Sequence, residues 1–128
     1  MAFEGKSSTE FLNVDLDLRA PSGLESLLRF LEPSVLVMNQ AGQEASIELN
    51  AQASSLEGTL VLWIELIQSL PEAARAIWDQ CELRSMNIGI QGGTEPHAAY
   101  FTISCETVRQ LASLQIEIAL TVYAAPTG

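Results

Sequence analysis

Apolar and polar residues alternate along several segments of this chain. Residues 12–18 read LNVDLDL, with a leucine or valine at every second position. This two-residue period is typical of a strand with one buried face, so Leu12 and Val14 are expected to face the core. The same period, together with one short apolar run, predicts further strands over residues 35–38, 44–49, 85–91, 97–103 and 116–123. About six strands are expected.

Helical spacing of apolar residues separates these predicted strands. Leu24, Leu27, Leu28 and Leu31 form one apolar helix face that ends before Pro33. Ser22 and Glu25 lie at its start with the spacing of a capping box, in which two side chains satisfy free backbone donors. Ser54 and Glu57 repeat this spacing before a second helix. Two shorter helices are predicted over residues 71–80 and after Ser104.

The order of these elements is β-α-β-β-α(α)-β-β-α-β, which predicts an α+β fold. Its first part has the order of a ferredoxin-like βαββαβ unit, extended by a further β-α-β. Apolar and polar residues alternate in these strands, which gives the sheet one covered face and one solvated face. This favours a mostly antiparallel sheet with helices on one face. We expect a flexible N-terminal tail over residues 1–10, a single α+β domain over 11–123, and a frayed C-terminus over 124–128.

The charge and composition of the chain exclude some classes of function. The 128 residues include 16 acidic and 6 basic side chains, a net charge of -10. Nucleic acids and anionic membranes both require clustered basic residues, so neither is an expected partner. No apolar run approaches the roughly 20 residues of a membrane-spanning helix, and residues 1–10 do not read as a signal peptide. We therefore expect a cytoplasmic protein whose Cys81 and Cys105 are reduced.

Four short segments carry a resemblance to known proteins. Leu70–Arg75, Trp78-Asp79, Asn87–Gly93, and the ending Ile118 with Thr121–Tyr123 resemble small acidic bacterial α+β domains of unknown function. Some such domains are grouped with the immunity proteins of polymorphic toxin systems. The resemblance spans roughly residues 10–123 in pattern and implies a protein inhibitor, with no functional residue that can be carried over.

Paired carboxylates are the main candidate binding site. Asp15 and Asp17 point to the same side of one strand, about 7 Å apart. Glu44 and Glu48 have the same outward parity in their strand, so the four carboxylates share one sheet face if the strands are neighbours. We expect no matching basic residue there. This surface either simply keeps the protein soluble or attracts a basic protein partner.

Other residues that could take part in catalysis or binding have simpler structural explanations. His97 is the only histidine, so a multi-histidine metal site is excluded. We expect it to be hydrogen-bonded rather than catalytic, and it is a candidate binding residue. Tyr100 is a candidate binding residue on the outer side of its predicted strand. With Tyr123 it belongs to a weakly charged sheet surface that favours a homodimer. Gly89, within a strand, indicates a bulge or a close backbone approach.

The sequence predicts no catalytic residue, metal or cofactor. We therefore interpret the chain as a non-enzymatic binding or regulatory module, with an immunity-type protein inhibitor as its specific form. One alternative is a small-molecule-binding ferredoxin-like domain. Another is a small enzyme that uses the carboxylates together with His97.

Overall fold

The computed structural model describes residues 7–125. It contains one five-stranded sheet and four helices. In chain order the elements are β1 (Glu10–Arg19), α1 (Leu24–Leu31), β2 (Val35–Ala41), β3 (Glu44–Leu49), α2 (Leu56–Gln68), α3 (Glu72–Gln80), β4 (Leu83–Gln91), α4 (Cys105–Ser113) and β5 (Glu117–Tyr123). The predicted N-terminal tail and frayed C-terminus fall partly outside the described residues, at 1–6 and 126–128.

The strands are ordered β2-β3-β1-β4-β5 across the sheet. β1 is central and runs antiparallel to both β3 and β4, and β2 runs antiparallel to β3. β5 runs parallel to β4, because α4 carries the chain back over the sheet between them. The α+β class and the mostly antiparallel sheet are therefore confirmed.

The alternation in β1 places its apolar side chains in the core. Val14, Leu16 and Leu18 are at most 1% exposed and pack in one cluster with the apolar face of α1. Leu12 is 40% exposed, so its predicted inward position is wrong. The register between β1 and β4 shifts between Phe11 and Asn13, which breaks the two-residue period at this point, and Phe11 packs against the core instead.

The predicted strand over residues 97–103 is not present. Tyr100 is 88% exposed, and the segment makes no backbone hydrogen bond to the rest of the described chain. The physical reason lies in β4, whose two sides are occupied by β1 and by β5. No partner edge is left for a hairpin strand beside β4. His97 and Tyr100 therefore lie in an exposed connection before α4.

Two of the predicted helix starts also differ from those in the structure. α1 begins after Gly23, whose left-handed φ of 81° suits glycine, and Ser22 and Glu25 form no capping box. α2 is capped by Ser55 rather than Ser54, since its hydroxyl accepts the Gly58 N–H at 3.0 Å. α4 is capped by Ser104 as expected. None of the helices within residues 7–125 is long and apolar enough to cross a membrane.

Glu57 joins α2 to α4 instead of capping its own helix. Its carboxylate accepts the Ser104 N–H at 2.9 Å, the Ser104 hydroxyl at 2.9 Å and the Thr107 hydroxyl at 2.8 Å. The hydrogen bond from the Ser104 backbone is the main cause that lowers the pKa of Glu57. This carboxylate fixes the helix layer at the start of α4 and is fully engaged there.

Candidate functional site

The pairing of β1 with β3 brings the predicted carboxylates onto one sheet face. Asp15 lies directly opposite Glu48, Asp17 lies opposite Ser46, and Glu44 lies at the end of the same ladder. Their side chains point away from the buried residues of both strands, so they lie on the side of the sheet opposite the core. We call these four residues, Asp15, Asp17, Glu44 and Glu48, the acidic face.

An amide side chain links the two carboxylates at the centre of the acidic face. Nδ2 of Asn13 lies 3.3 Å from Oδ1 of Asp15 and 3.3 Å from Oε2 of Glu48. One amide nitrogen has two hydrogens, so it can donate to both carboxylates, although each bond is long. Asn13 thereby holds Asp15 and Glu48 side by side rather than letting them turn apart.

Gly89 makes room for this amide. A Cβ on Gly89 would lie 2.5 Å from Oδ1 of Asn13, a distance that real Cβ atoms essentially never show, so the Asn13 amide would have to move. Gly89 lies opposite Asn13 in β4, next to the point where the β1–β4 register shifts. The irregularity lies in β1 rather than at Gly89, because the register shift leaves Leu12 as the extra residue, and the group that approaches Gly89 closely is the Asn13 side chain.

The environment of Asp15 opposes its ionisation. Burial is the largest cause, followed by a hydrogen bond to Glu48 and the negative charges of Glu48 and Asp17, and together they raise the pKa of Asp15 from 3.8 to about 6. In the part of the chain that the structure describes, neither Asp15, Asp17 nor Glu48 has an ion-pair partner. The centre of the acidic face is therefore electrostatically unfavourable at neutral pH.

Arg19 supplies a positive charge at one end of the acidic face. Its guanidinium lies 3.6 Å from Glu44 and 3.7 Å from Glu82, both exposed carboxylates. The expectation that no basic residue would match the four carboxylates is therefore wrong for Glu44. Arg19 is the last residue of β1, and its parity in that strand sets it directly opposite Glu44.

A shallow depression of about 260 Å³ adjoins this end of the acidic face. Its polar lining comes from the side chains of Asp17, Asn39, Glu44 and Ser46, with Leu83 on one wall. Carboxylate, amide and hydroxyl oxygens are hydrogen-bond acceptors, so this lining suits an ammonium or guanidinium group. Among the described residues no group of three His, Cys, Asp or Glu side chains could hold a metal ion.

The remaining candidate residues lie apart from the acidic face. His97 and Tyr100 are exposed in the connection after β4, and no described hydrogen bond or ion pair joins His97 to a carboxylate. Both cysteines are free thiols. Burial is the main cause that raises the pKa of the Cys81 thiol, which makes it less reactive. Cys105 is exposed at the first position of α4.

Sequence reasoning missed three polar residues around the acidic face. Asn13 links its carboxylates, Arg19 pairs with Glu44, and Asn87 lies directly opposite Asp15 in β4. Asn87 accepts a hydrogen bond from the Thr121 hydroxyl at 2.9 Å, which extends the polar surface to β5. The outward parity of each residue was a usable signal, but the pairing of β1 with β4 has no marker in the sequence.

No known protein family, curated protein or solved structure matches this chain.

Proposed function

We propose that this protein is a non-enzymatic binding module that uses its acidic face to bind a basic protein partner. The observation that carries the proposal is the pair of Asp15 and Glu48, which β1 and β3 set directly opposite each other. Asn13 holds the two carboxylates together, and no described cation neutralises them. Their repulsion weakens the fold, and a cationic surface on a partner would offset it.

Complementary charge acts mainly on the rate of association. An acidic surface attracts a basic partner over a distance set by the ionic strength, roughly 8 Å at physiological salt. This attraction raises the association rate more than the final affinity. An immunity-type inhibitor is the specific form that we propose, supported by the resemblance of the segments around Pro71 and Gly89. Such an inhibitor must capture its target quickly, which suits an electrostatically guided surface.

A comparison of two triple variants tests this function. Asp15→Asn/Asp17→Asn/Glu48→Gln removes three charges from the acidic face. Glu32→Gln/Glu65→Gln/Glu72→Gln removes three charges from exposed positions at or in the helices. Both variants change the net charge from -10 to -7, because each loses three negative charges. Each protein is immobilised and exposed to lysate of its native host at low salt, and the retained proteins are identified by mass spectrometry.

We expect the wild type and the helix variant to retain the same basic protein, and the acidic-face variant to lose it. Added salt should weaken capture by the wild type, because the interaction is between exposed charges. Circular dichroism serves as the control that both variants are folded. Equal capture by the two variants would show that the acidic face is only a solvated surface.

The depression beside Asp17 supports a second candidate function, the binding of a small cationic ligand. We also infer a ferredoxin-like arrangement for β1 to β4, supported by the antiparallel neighbours on both sides of β1. Sheets of that type can bind ligands on their open face. Calorimetric titration with spermidine tests this candidate, using Asn39→Leu as the variant that closes the depression without changing its charge. Binding that Asn39→Leu abolishes would favour a small ligand over a protein partner.

A further inference from the structure

β5 forms one edge of the sheet, and within the described chain only β4 pairs with it. The register between the two strands runs without a shift from Ser85 opposite Glu117 to Gln91 opposite Tyr123. Edge strands are usually protected by charged residues, prolines or bulges, because an open edge can hydrogen-bond to another chain. Residues 118–123 read IALTVY and contain none of these protections.

Within residues 7–125 the apolar face of β5 is also left largely uncovered. Ile118, Leu120 and Val122 pair with residues of β4 on the core side of the sheet, yet they are 39%, 63% and 63% exposed. Their neighbours Met86 and Ile88 are fully buried. The helix layer therefore covers β4 and stops short of β5. A row of three apolar side chains beside an open edge is a surface that another chain can bury.

The opposite edge of the sheet is built differently. β2 shows a register shift between Val37 and Asn39, and a bulge of this kind twists an edge away from further pairing. Its second half is polar, with Asn39 and Gln40 both exposed. Only one of the two edges is therefore regular, uncharged over most of its length and apolar on one side.

We infer that two copies of this chain pair through β5, antiparallel and about a twofold axis at Leu120. Ile118 then faces Val122 of the partner subunit, and the two copies of Leu120 face each other. Glu117 faces Tyr123 of the partner subunit, so no like charges meet across the edge. The apolar rows of both copies join on one side of a continuous ten-stranded sheet, where each shields the other from water.

The same operation about Met38, the central residue of β2, is less favourable. An axis at Met38 would set Val37 against Asn39 of the partner subunit and Leu36 against Gln40 of the partner subunit. Two apolar side chains would then face amides. Pairing of a β5 edge with a β2 edge would leave an open edge at each end and continue into a filament.

The net charge of -10 also favours the β5 edge. In the β5-paired dimer the two copies of β3 are seven strand spacings apart, about 33 Å. In a β2-paired dimer they would be three spacings apart, about 14 Å. The larger separation spans several screening lengths of roughly 8 Å, so repulsion between the Glu48 carboxylates of the two copies is small.

Sedimentation velocity over a range of micromolar concentrations tests the inference. We expect the wild type to have twice the 13.9 kDa mass of the chain. Leu120→Lys should halve this mass, because it sets two positive charges against each other at the axis. Leu36→Lys is the matched control, since Leu36 is 51% exposed on the other edge strand. It should leave the mass unchanged.

Amide hydrogen exchange of the wild type gives a second measurement that needs no variant. Dilution should speed exchange in β5 several-fold and leave β2 unchanged. A wild type of 13.9 kDa throughout the concentration range would overturn the inference. A dimer dissociated by Leu36→Lys and not by Leu120→Lys, or dilution-sensitive exchange confined to β2, would overturn it as well.

Discussion

Asn13 lies over Gly89, in the space that a side chain at position 89 would fill. The small residue in β4 therefore fixes an amide in β1, and that amide holds the carboxylates of Asp15 and Glu48 together. The geometry of the acidic face depends in this way on a residue that carries no polar side chain. This dependence can be measured as a change in the free energy of unfolding.

Gly89→Ala should displace the Asn13 amide and weaken its two long hydrogen bonds, and it should lower the free energy of unfolding by at most about 1 kcal/mol, because the end of this side chain can rotate away from the new methyl. Urea denaturation of Gly89→Ala, Asn13→Ala and the double variant would measure it. Since the clash is with the Asn13 side chain, the added methyl should cost much less when position 13 is alanine. A cost that is the same in both backgrounds would contradict the contact.

Asp15 should take up a proton at pH values at which most exposed carboxyl groups are still ionised. We expect its carboxyl resonance to titrate with a midpoint of about 6 in an NMR experiment. Glu48→Gln should lower this midpoint, because it removes a neighbouring negative charge. Glu44→Gln is the control, since Glu44 is paired with Arg19. A midpoint near 3.8 in the wild type would contradict the described environment.

Asp15→Asn should raise the free energy of unfolding at neutral pH by about 1 kcal/mol, allowing for solvent screening of a partly exposed group. The pKa of Asp15 is higher in the folded protein than its ordinary 3.8, so protonation stabilises the fold. That contribution is complete below about 3.8 and is lost as the pH rises through about 6. The advantage of Asp15→Asn should therefore shrink as the pH is lowered across this interval. Urea denaturation at several pH values checks this, and an advantage independent of pH would count against it.

Leu27 should contribute strongly to the core. It is fully buried in α1, and truncation of such a leucine typically costs about 2–5 kcal/mol. Leu27→Ala is compared with Phe30→Ala in the same helix, because Phe30 is 45% exposed. Denaturant unfolding should show the larger loss for Leu27→Ala. Equal losses would mean that the buried face of α1 is assigned incorrectly.

Local patterns in the sequence were sufficient for much of the fold. The two-residue period in β1 and β3 identified both strands and the outward side of Asp15 and Glu48. Gly89 indicated a close approach without naming the group that approaches it. These features depend on residues near one another in the chain, or on a parity that any antiparallel neighbour preserves.

Features that depend on strand order could not be predicted from the sequence. Residues 97–103 alternate well enough to predict a strand, but α4 returns the chain so that β5 occupies the edge of β4. The pairing of Arg19 with Glu44 and the position of Asn13 over Gly89 likewise follow from which strands are neighbours. Periodicity identifies a strand and its faces, whereas the choice of neighbour depends on the packing of the whole domain.

The salt dependence of association with the captured basic protein tests most directly whether the acidic face attracts this partner through its charge. In stopped-flow measurements, the wild type should associate at least about tenfold faster at low salt than Asp15→Asn/Asp17→Asn/Glu48→Gln, and added salt should remove most of the difference. A triple variant that associates as fast as the wild type at low salt would contradict this attraction.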